Sequence, residues 1–260
     1  SGQVLNTDGS GVLSWETLLT ASSSNTNFLL GTGTGASITT AKGNMHIGDY
    51  AGNKTTEGIN NTFIGDSSGY SNTTGFYNTF VGYKTGRSNT TGVRNTFVGN
   101  QAGKDVTTGS RNTFLGNGAG YLTTTGVGNT FLGSMAGGQN TTGDQNVVVG
   151  NMAGYLNTEG EVNLFVGGFA GYYNTTGSYN IFLGQLAGQR NSTGTRNIAI
   201  GNQALDEPDT ENDNLAIGYN ALGGAISGGE YNVAIGNYSL DATTSGDANT
   251  AIGYNSLTAN

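Results

Sequence analysis

Asn95-Thr96-Phe97-Val98-Gly99 is one copy of a pentapeptide that recurs down almost the whole chain. Its Asn members fall at 27, 44, 61, 78, 95, 112, 129, 146, 163, 180, 197, 214, 232 and 249. The step is 17 residues throughout, except that Asn214 to Asn232 takes 18. These positions define 14 units, and a short fixed period marks a repeat array, one continuous body rather than a string of domains. Counting the Asn as position 1, the regular units beginning at Asn61 to Asn180 share the form Asn-Thr-Phe-Val-Gly-x-x-Ala-Gly-x-x-Asn-Thr-Thr-Gly-x-x.

One unit is too short for a helical hairpin, and its Gly content opposes helix. Its apolar residues are adjacent rather than helically spaced. The prediction is therefore all-β: coils of two or three short strands joined by Gly and Asn turns, stacked ~4.8 Å apart into a rod of roughly 65 Å. Gly at position 5 is present in every unit, from Gly31 to Gly253. That predicts positive φ or a close backbone approach. The Asn at position 1, equally constant, tolerates left-handed geometry and can form a side-chain ladder along the stack.

Position 4 is always Val, Ile or Leu. Position 3 is Phe at Phe63, Phe80, Phe97, Phe114, Phe131, Phe165 and Phe182, and Ala at Ala199, Ala216, Ala234 and Ala251. Neighbours on a strand point to opposite faces, so this strand is apolar on both. A lone solenoid buries only its inside, and an apolar row along the outside is too long to leave in water. Association along the rod axis follows as an expectation, one face filling the coil and the other meeting sister chains. We place the aliphatic row inside and the Phe/Ala row at the subunit contact. On that placement, the change to Ala199 marks chains that approach more closely toward the C-terminus.

Composition narrows the classes. Gly is 47 of 260 residues and Pro is 1, without the triplet of collagen. Charged residues are only 10% of the chain, too few for a typical disordered segment, and Asn, Thr, Ser and Gly suit tight, hydrogen-bonded turns. The net charge is −8, with 9 basic residues spread thinly, which argues against a nucleic-acid surface. Cysteine is absent, so neither disulfides nor thiolate metal sites are expected. No apolar run approaches the ~20 residues of a membrane helix. Ser1-Gly2-Gln3 does not open a signal peptide, which reads as a mature form or a fragment. The last unit stops partway, so a continuation beyond Asn260 is expected.

Three segments are read: a lead-in or cap over 1–26, a Phe-type solenoid over 27–196, and an Ala-Ile-Gly-type solenoid over 197–260. The lead-in, from Gly2 to Trp15, predicts two short strands around an Asp8-Gly9 turn, with Trp15 packed over the first coil. Its Gly-x-Val-Leu-x-x-Asp-Gly-x-Gly-x-x-x-Trp pattern resembles the lead-ins of phage tail fibres and fibre-like bacterial surface proteins. The units at 197–205, 214–222, 232–240 and 249–257 read Asn-x-Ala-Ile-Gly-x-x-Ser/Ala-Leu. This is similar to the head repeat of trimeric autotransporter adhesins, closely in those four units and more loosely over 61–194. The resemblance implies a left-handed parallel β-roll or β-solenoid, a homotrimer around one axis, an extracellular location on a bacterial surface or a phage or injection-system particle, and attachment to a host or surface receptor. The chain departs from the family in lacking stalk heptads and a membrane anchor.

A search for chemistry finds little. With one His and no Cys, a nucleophile triad would have to use His46. His46 replaces a Phe of position 3; if three chains met there, three imidazoles could converge on a metal. The acidic run 206–213 suggests a solvated loop, with Asp206, Asp209 and Asp213 as Ca²⁺ candidates, although the spacing matches no known calcium loop. No cofactor is otherwise expected. Paired carboxylates for a depolymerase do not recur, so no enzyme activity is expected. Asn72-Thr73-Thr74 and the triplets at 89, 140 and 174 fit a glycosylation acceptor but suit turns as well. Two surface rows remain. Tyr70, Tyr121, Tyr155 and Tyr172 occupy position 10, a candidate platform for a carbohydrate or receptor. The paired Thr residues at positions 13 and 14 could order water, and hence ice, although adjacent residues cannot both face one way.

Overall fold

The structure is a computed structural model that describes residues 3–7, 13–17, 27–207, 210–224, 229–241 and 245–258. Strands β1 (Gln3–Thr7) and β2 (Leu13–Thr17) pair antiparallel with Leu5 opposite Trp15, the predicted hairpin. Its turn, and the packing expected of the Trp15 side chain, lie outside the described residues. Every unit then contributes one strand of three residues, from β3 (Phe28–Leu30) to β16 (Thr250–Ile252). These fourteen form a single parallel sheet in strict sequence order. Each position pairs with its own counterpart one coil on, as Phe97 with Phe114 and Thr96 with Thr113. The chain is a β-solenoid, and no helix occurs among the described residues. Sequence led us to expect two or three strands per coil; there is one, and turns make up the rest. Frequent Gly and αL residues keep the remaining walls out of strand conformation, although their backbone still bonds from coil to coil, as Gly86 N–H does to the Ala102 carbonyl at 3.0 Å.

Two positions dictate that geometry. Gly99, at position 5, has φ +137°, and a Cβ there would collide with the carbonyl of Gly116 in the next coil. Both the dihedral and the stacking distance exclude a side chain. The Asn of position 1 is buried from Asn44 to Asn232 and half-buried at Asn27 and Asn249, and its amide joins the coils. In all thirteen steps from Asn27 to Asn249 its Oδ1 accepts the backbone N–H of the next Asn, at 2.8–3.0 Å. Its Nδ2 donates across the coil to the position-15 carbonyl, as Asn112 does to Gly126 at 2.8 Å. The ladder survives the 18-residue step. There Asn214 reaches Gly229, 15 residues on instead of 14, while Leu205 still pairs 16 residues on with Ala221, as in the regular coils, and Leu222 pairs 17 residues on with Ser239. The additional residue therefore falls after Leu222 and before Gly229, outside the strand.

A second ladder runs through position 12. Asn89 donates to Asn72, and Asn157, Asn174 and Asn191 each donate to the Asn before, at 2.6–3.2 Å. Val106 and Thr123 interrupt it. The acceptor amides of the glycosylation triplets at 72, 89, 140 and 174 are thus fully buried structural donors, closed to a modifying enzyme.

The strand faces the opposite way from our placement. Phe63, Phe80, Phe97, Phe114, Phe131, Phe165 and Phe182 are completely buried inside the coil, as are Ala199, Ala216, Ala234 and, almost completely, Ala251. The aliphatic position 4 points outward with position 2. The reason lies on the facing wall. A Cβ at Gly103 would stand 2.6 Å from the Phe97 ring, so Gly at position 9 is the space each Phe fills. Where position 3 becomes Ala, position 9 becomes Leu, and Leu205, Leu222 and Leu240 are almost fully buried. The Phe-to-Ala change is thus an exchange of volume within one coil rather than a change in subunit spacing. These leucines take φ of 51–54°, at a cost of about 1–2 kcal/mol each, which filling the core offsets.

The rings form a column. Phe63 to Phe131 stack face to face at centroid distances of 4.7–5.0 Å. Val148 breaks the column, and Phe165 leans back until its ring covers both Gly154 and Gly171 before stacking on Phe182.

Candidate functional site

His46 sits in that column, stacked on Phe63 at 4.7 Å. It is fully buried, and neither ring nitrogen has a hydrogen-bond partner. Three copies cannot converge there on a metal, because the ring points into its own coil; this corrects the sequence expectation. Burial lowers its pKa from 6.5 to about 4. The unfolded chain therefore takes up this proton first as pH falls. The contribution of His46 to stability is complete above pH 6.5, is lost as pH falls from 6.5 to 4, and changes no further below. A depression of this size is worth about 3 kcal/mol. His46→Phe is expected to remove that slope and to raise stability at neutral pH by about 1–3 kcal/mol, since no unpaired buried nitrogen remains. Urea midpoints of both proteins at pH 7 and pH 4.5 check this.

The acidic run does not assemble a calcium site among the described residues. Both carboxylate oxygens of Asp213 accept from Arg196, each at 2.7 Å, and the guanidinium holds that carboxyl below its usual range. Burial, with Glu207 close by, pushes Asp206 up to about 6. Asp209 lies outside the described residues. Nowhere among the described residues do three or more His, Asp or Glu gather as metal ligands.

The tyrosine row is largely occupied by its own neighbours. Lys54 and Arg87 both lie 5.3 Å from the ring centre of Tyr70. Lys104 lies over Tyr121 at 4.5 Å and donates to its hydroxyl at 2.8 Å. Tyr155 lies over the Cα of Gly138 and stacks on Tyr172. All four rings are half-buried. The Thr pairs divide as adjacency requires. The position-13 hydroxyls donate to the next coil's carbonyl, as Thr73 to Thr90 at 3.0 Å. Thr74, Thr91, Thr108, Thr125 and Thr142 stay exposed as a single rank, which ends at Glu159.

The outer wall of the sheet is a long uncharged surface. Positions 2 and 4 present 28 outward side chains, and none carries a charge. Position 4 is Val, Ile or Leu in every coil; position 2 is Thr from Thr62 to Thr130 and aliphatic from Val147 to Val233. Leu115, Leu132 and Val147 are 41%, 43% and 39% exposed. Thirteen steps of ~4.8 Å and a width of ~10 Å make an uncharged strip of roughly 600 Å², at the upper end of what a soluble monomer exposes in one patch. A strand apolar on both faces was visible in the sequence; which residues form the outer wall was not. No family model, no curated protein and no solved structure matches this chain. Its function is therefore argued from its surfaces.

A second feature was missed because the repeat was read along the chain and not down the column. Position 11 of four successive coils is Leu156, Tyr173, Arg190 and Glu207. The first three, with Thr175 and Ser192 of position 13, line a groove of about 450 Å³. The adjacent pair Tyr172-Tyr173, found in no other unit, was its signal.

Proposed function

We propose that this chain is a segment of an extracellular, non-enzymatic fibre or adhesin that works as a homotrimer and attaches to a host or cell surface. The uncharged outer wall carries the reading. Three copies with these walls turned toward one axis would bury all three strips, in a closed symmetry that leaves no strip exposed. Parallel, unstaggered chains would set the Thr ranks of coils 3–7 against one another and the aliphatic ranks of coils 8–13 likewise. The contact rows are then positions 2 and 4, in place of the Phe/Ala row. The extracellular setting rests on the likeness of 197–257 to adhesin-head repeats. The lack of enzymatic function is supported by the burial of the only imidazole and the absence of thiols.

Multi-angle light scattering is expected to give three times the 26.5 kDa chain mass. The pair Leu115→Glu and Leu132→Glu is expected to yield a folded monomer, because six carboxylates on one axis would have to be desolvated. A wild-type monomer at micromolar concentration would end the trimer reading.

A further inference from the structure

We propose that the groove over coils 8–10, walled by Leu156, Tyr173 and Arg190, binds a neutral hexopyranose glycan. The inference deepens the attachment reading by naming its ligand, but it stands on one chain and does not require the trimer. Tyr173 is 44% exposed and is fixed from behind. Tyr172 meets its ring edge-on at 4.7 Å and is itself stacked on Tyr155 at 5.4 Å. A phenol held this way is a flat apolar platform that loses little freedom on binding. The polar groups around it are also set in advance. The Arg190 guanidinium donates to Glu207 at 2.8 Å, so one end of the groove offers donors and an acceptor without net charge. Thr175 Oγ1 donates to the Ser192 carbonyl at 3.0 Å, which leaves the hydroxyl oxygen as an acceptor.

An apolar plate edged by paired donors and acceptors matches a sugar ring, whose axial C–H groups make an apolar face and whose hydroxyls ring the edge. Neutralisation of Arg190 by Glu207 disfavours an acidic sugar, which would have to displace the carboxylate. The volume falls within the range of small-ligand sites. Position 11 lies beside the inward-pointing Asn174 and Asn191 of position 12, on the turn wall and away from the strand wall. The groove therefore stays open in an assembly built through positions 2 and 4.

Saturation-transfer NMR with cellohexaose, chitohexaose and maltohexaose tests this on the full chain. At least one is expected to bind. Tyr173→Ala should weaken it about tenfold or more, Tyr173→Phe should keep it, and Tyr70→Ala should leave it unchanged. Raising the salt concentration should not alter the affinity, because no net charge is engaged. Binding by none of the three, or binding unaffected by Tyr173→Ala, overturns the proposal, as does a requirement for an acidic sugar. Light scattering on the same variants separates this outcome from failure of the trimer.

Discussion

Replacing Phe114 by Ala is expected to destabilise the rod by about 3–5 kcal/mol, and adding Gly120→Leu is expected to recover about half of that or more. The ring of Phe114 fills the coil against Gly120 and is stacked at 4.7 Å on both Phe97 and Phe131. Its removal opens a cavity that the turn-bound backbone cannot close. Leu at position 9 is the protein's own alternative, used with Ala at Ala199–Leu205, Ala216–Leu222 and Ala234–Leu240. Recovery is incomplete because Leu must adopt the left-handed φ of about 58° held by Gly120, costing about 1–2 kcal/mol, and because two ring stacks are lost. Gly120→Leu alone should be destabilising, since its Cβ would already collide with the ring of Phe114. The double-mutant cycle should thus show a coupling of several kcal/mol. Urea denaturation, with hydrogen exchange at coil 6 to catch local opening, is the measurement. A double variant as unstable as the sum of the single changes would refute the volume exchange.

The second large effect is expected at the Asn ladder. Asn112→Ala should cost about 2–5 kcal/mol. The substitution leaves two buried backbone groups without partners: the N–H of Asn129, now accepted at 2.8 Å, and the carbonyl of Gly126, now paired at 2.8 Å. Each such group costs about 1–3 kcal/mol. Asn112→Asp should be no better at neutral pH. It keeps the acceptor for Asn129 but turns a carboxylate oxygen toward the Gly126 carbonyl, inside a wall that excludes water. Asn117→Ala, on the exposed surface five residues on, should change stability by less than about 0.5 kcal/mol. Chemical denaturation of the three variants decides the point, and equal stability of Asn112→Ala and Asn117→Ala would show that the ladder contributes nothing.

Both expectations separate what a repeat reveals from what it hides. The 17-residue period with constant Asn and Gly specified an all-β stack, parallel and in register. Identical residues must meet one coil apart, and only Asn and Gly satisfy that amide ladder and that backbone approach. The exchange at Ala199 was also legible, because Leu205 changes with it. The two could be recognised as one cavity only once positions 3 and 9 were known to face each other.

Period, register and ladder were therefore written in the sequence alone. The inside and outside of the strand were decided by the tertiary structure. Thr96-Phe97-Val98 is apolar on both faces, so alternation carries no sign of which face is buried. The facing wall supplies it, where Gly103 leaves room for one ring and for nothing beside it. The same closure turned Val98 and its 13 counterparts outward, buried His46, and brought Leu156, Tyr173 and Arg190 together around one groove. Each of these depends on residues of different walls or coils meeting in space, a relation that spacing along a chain does not contain.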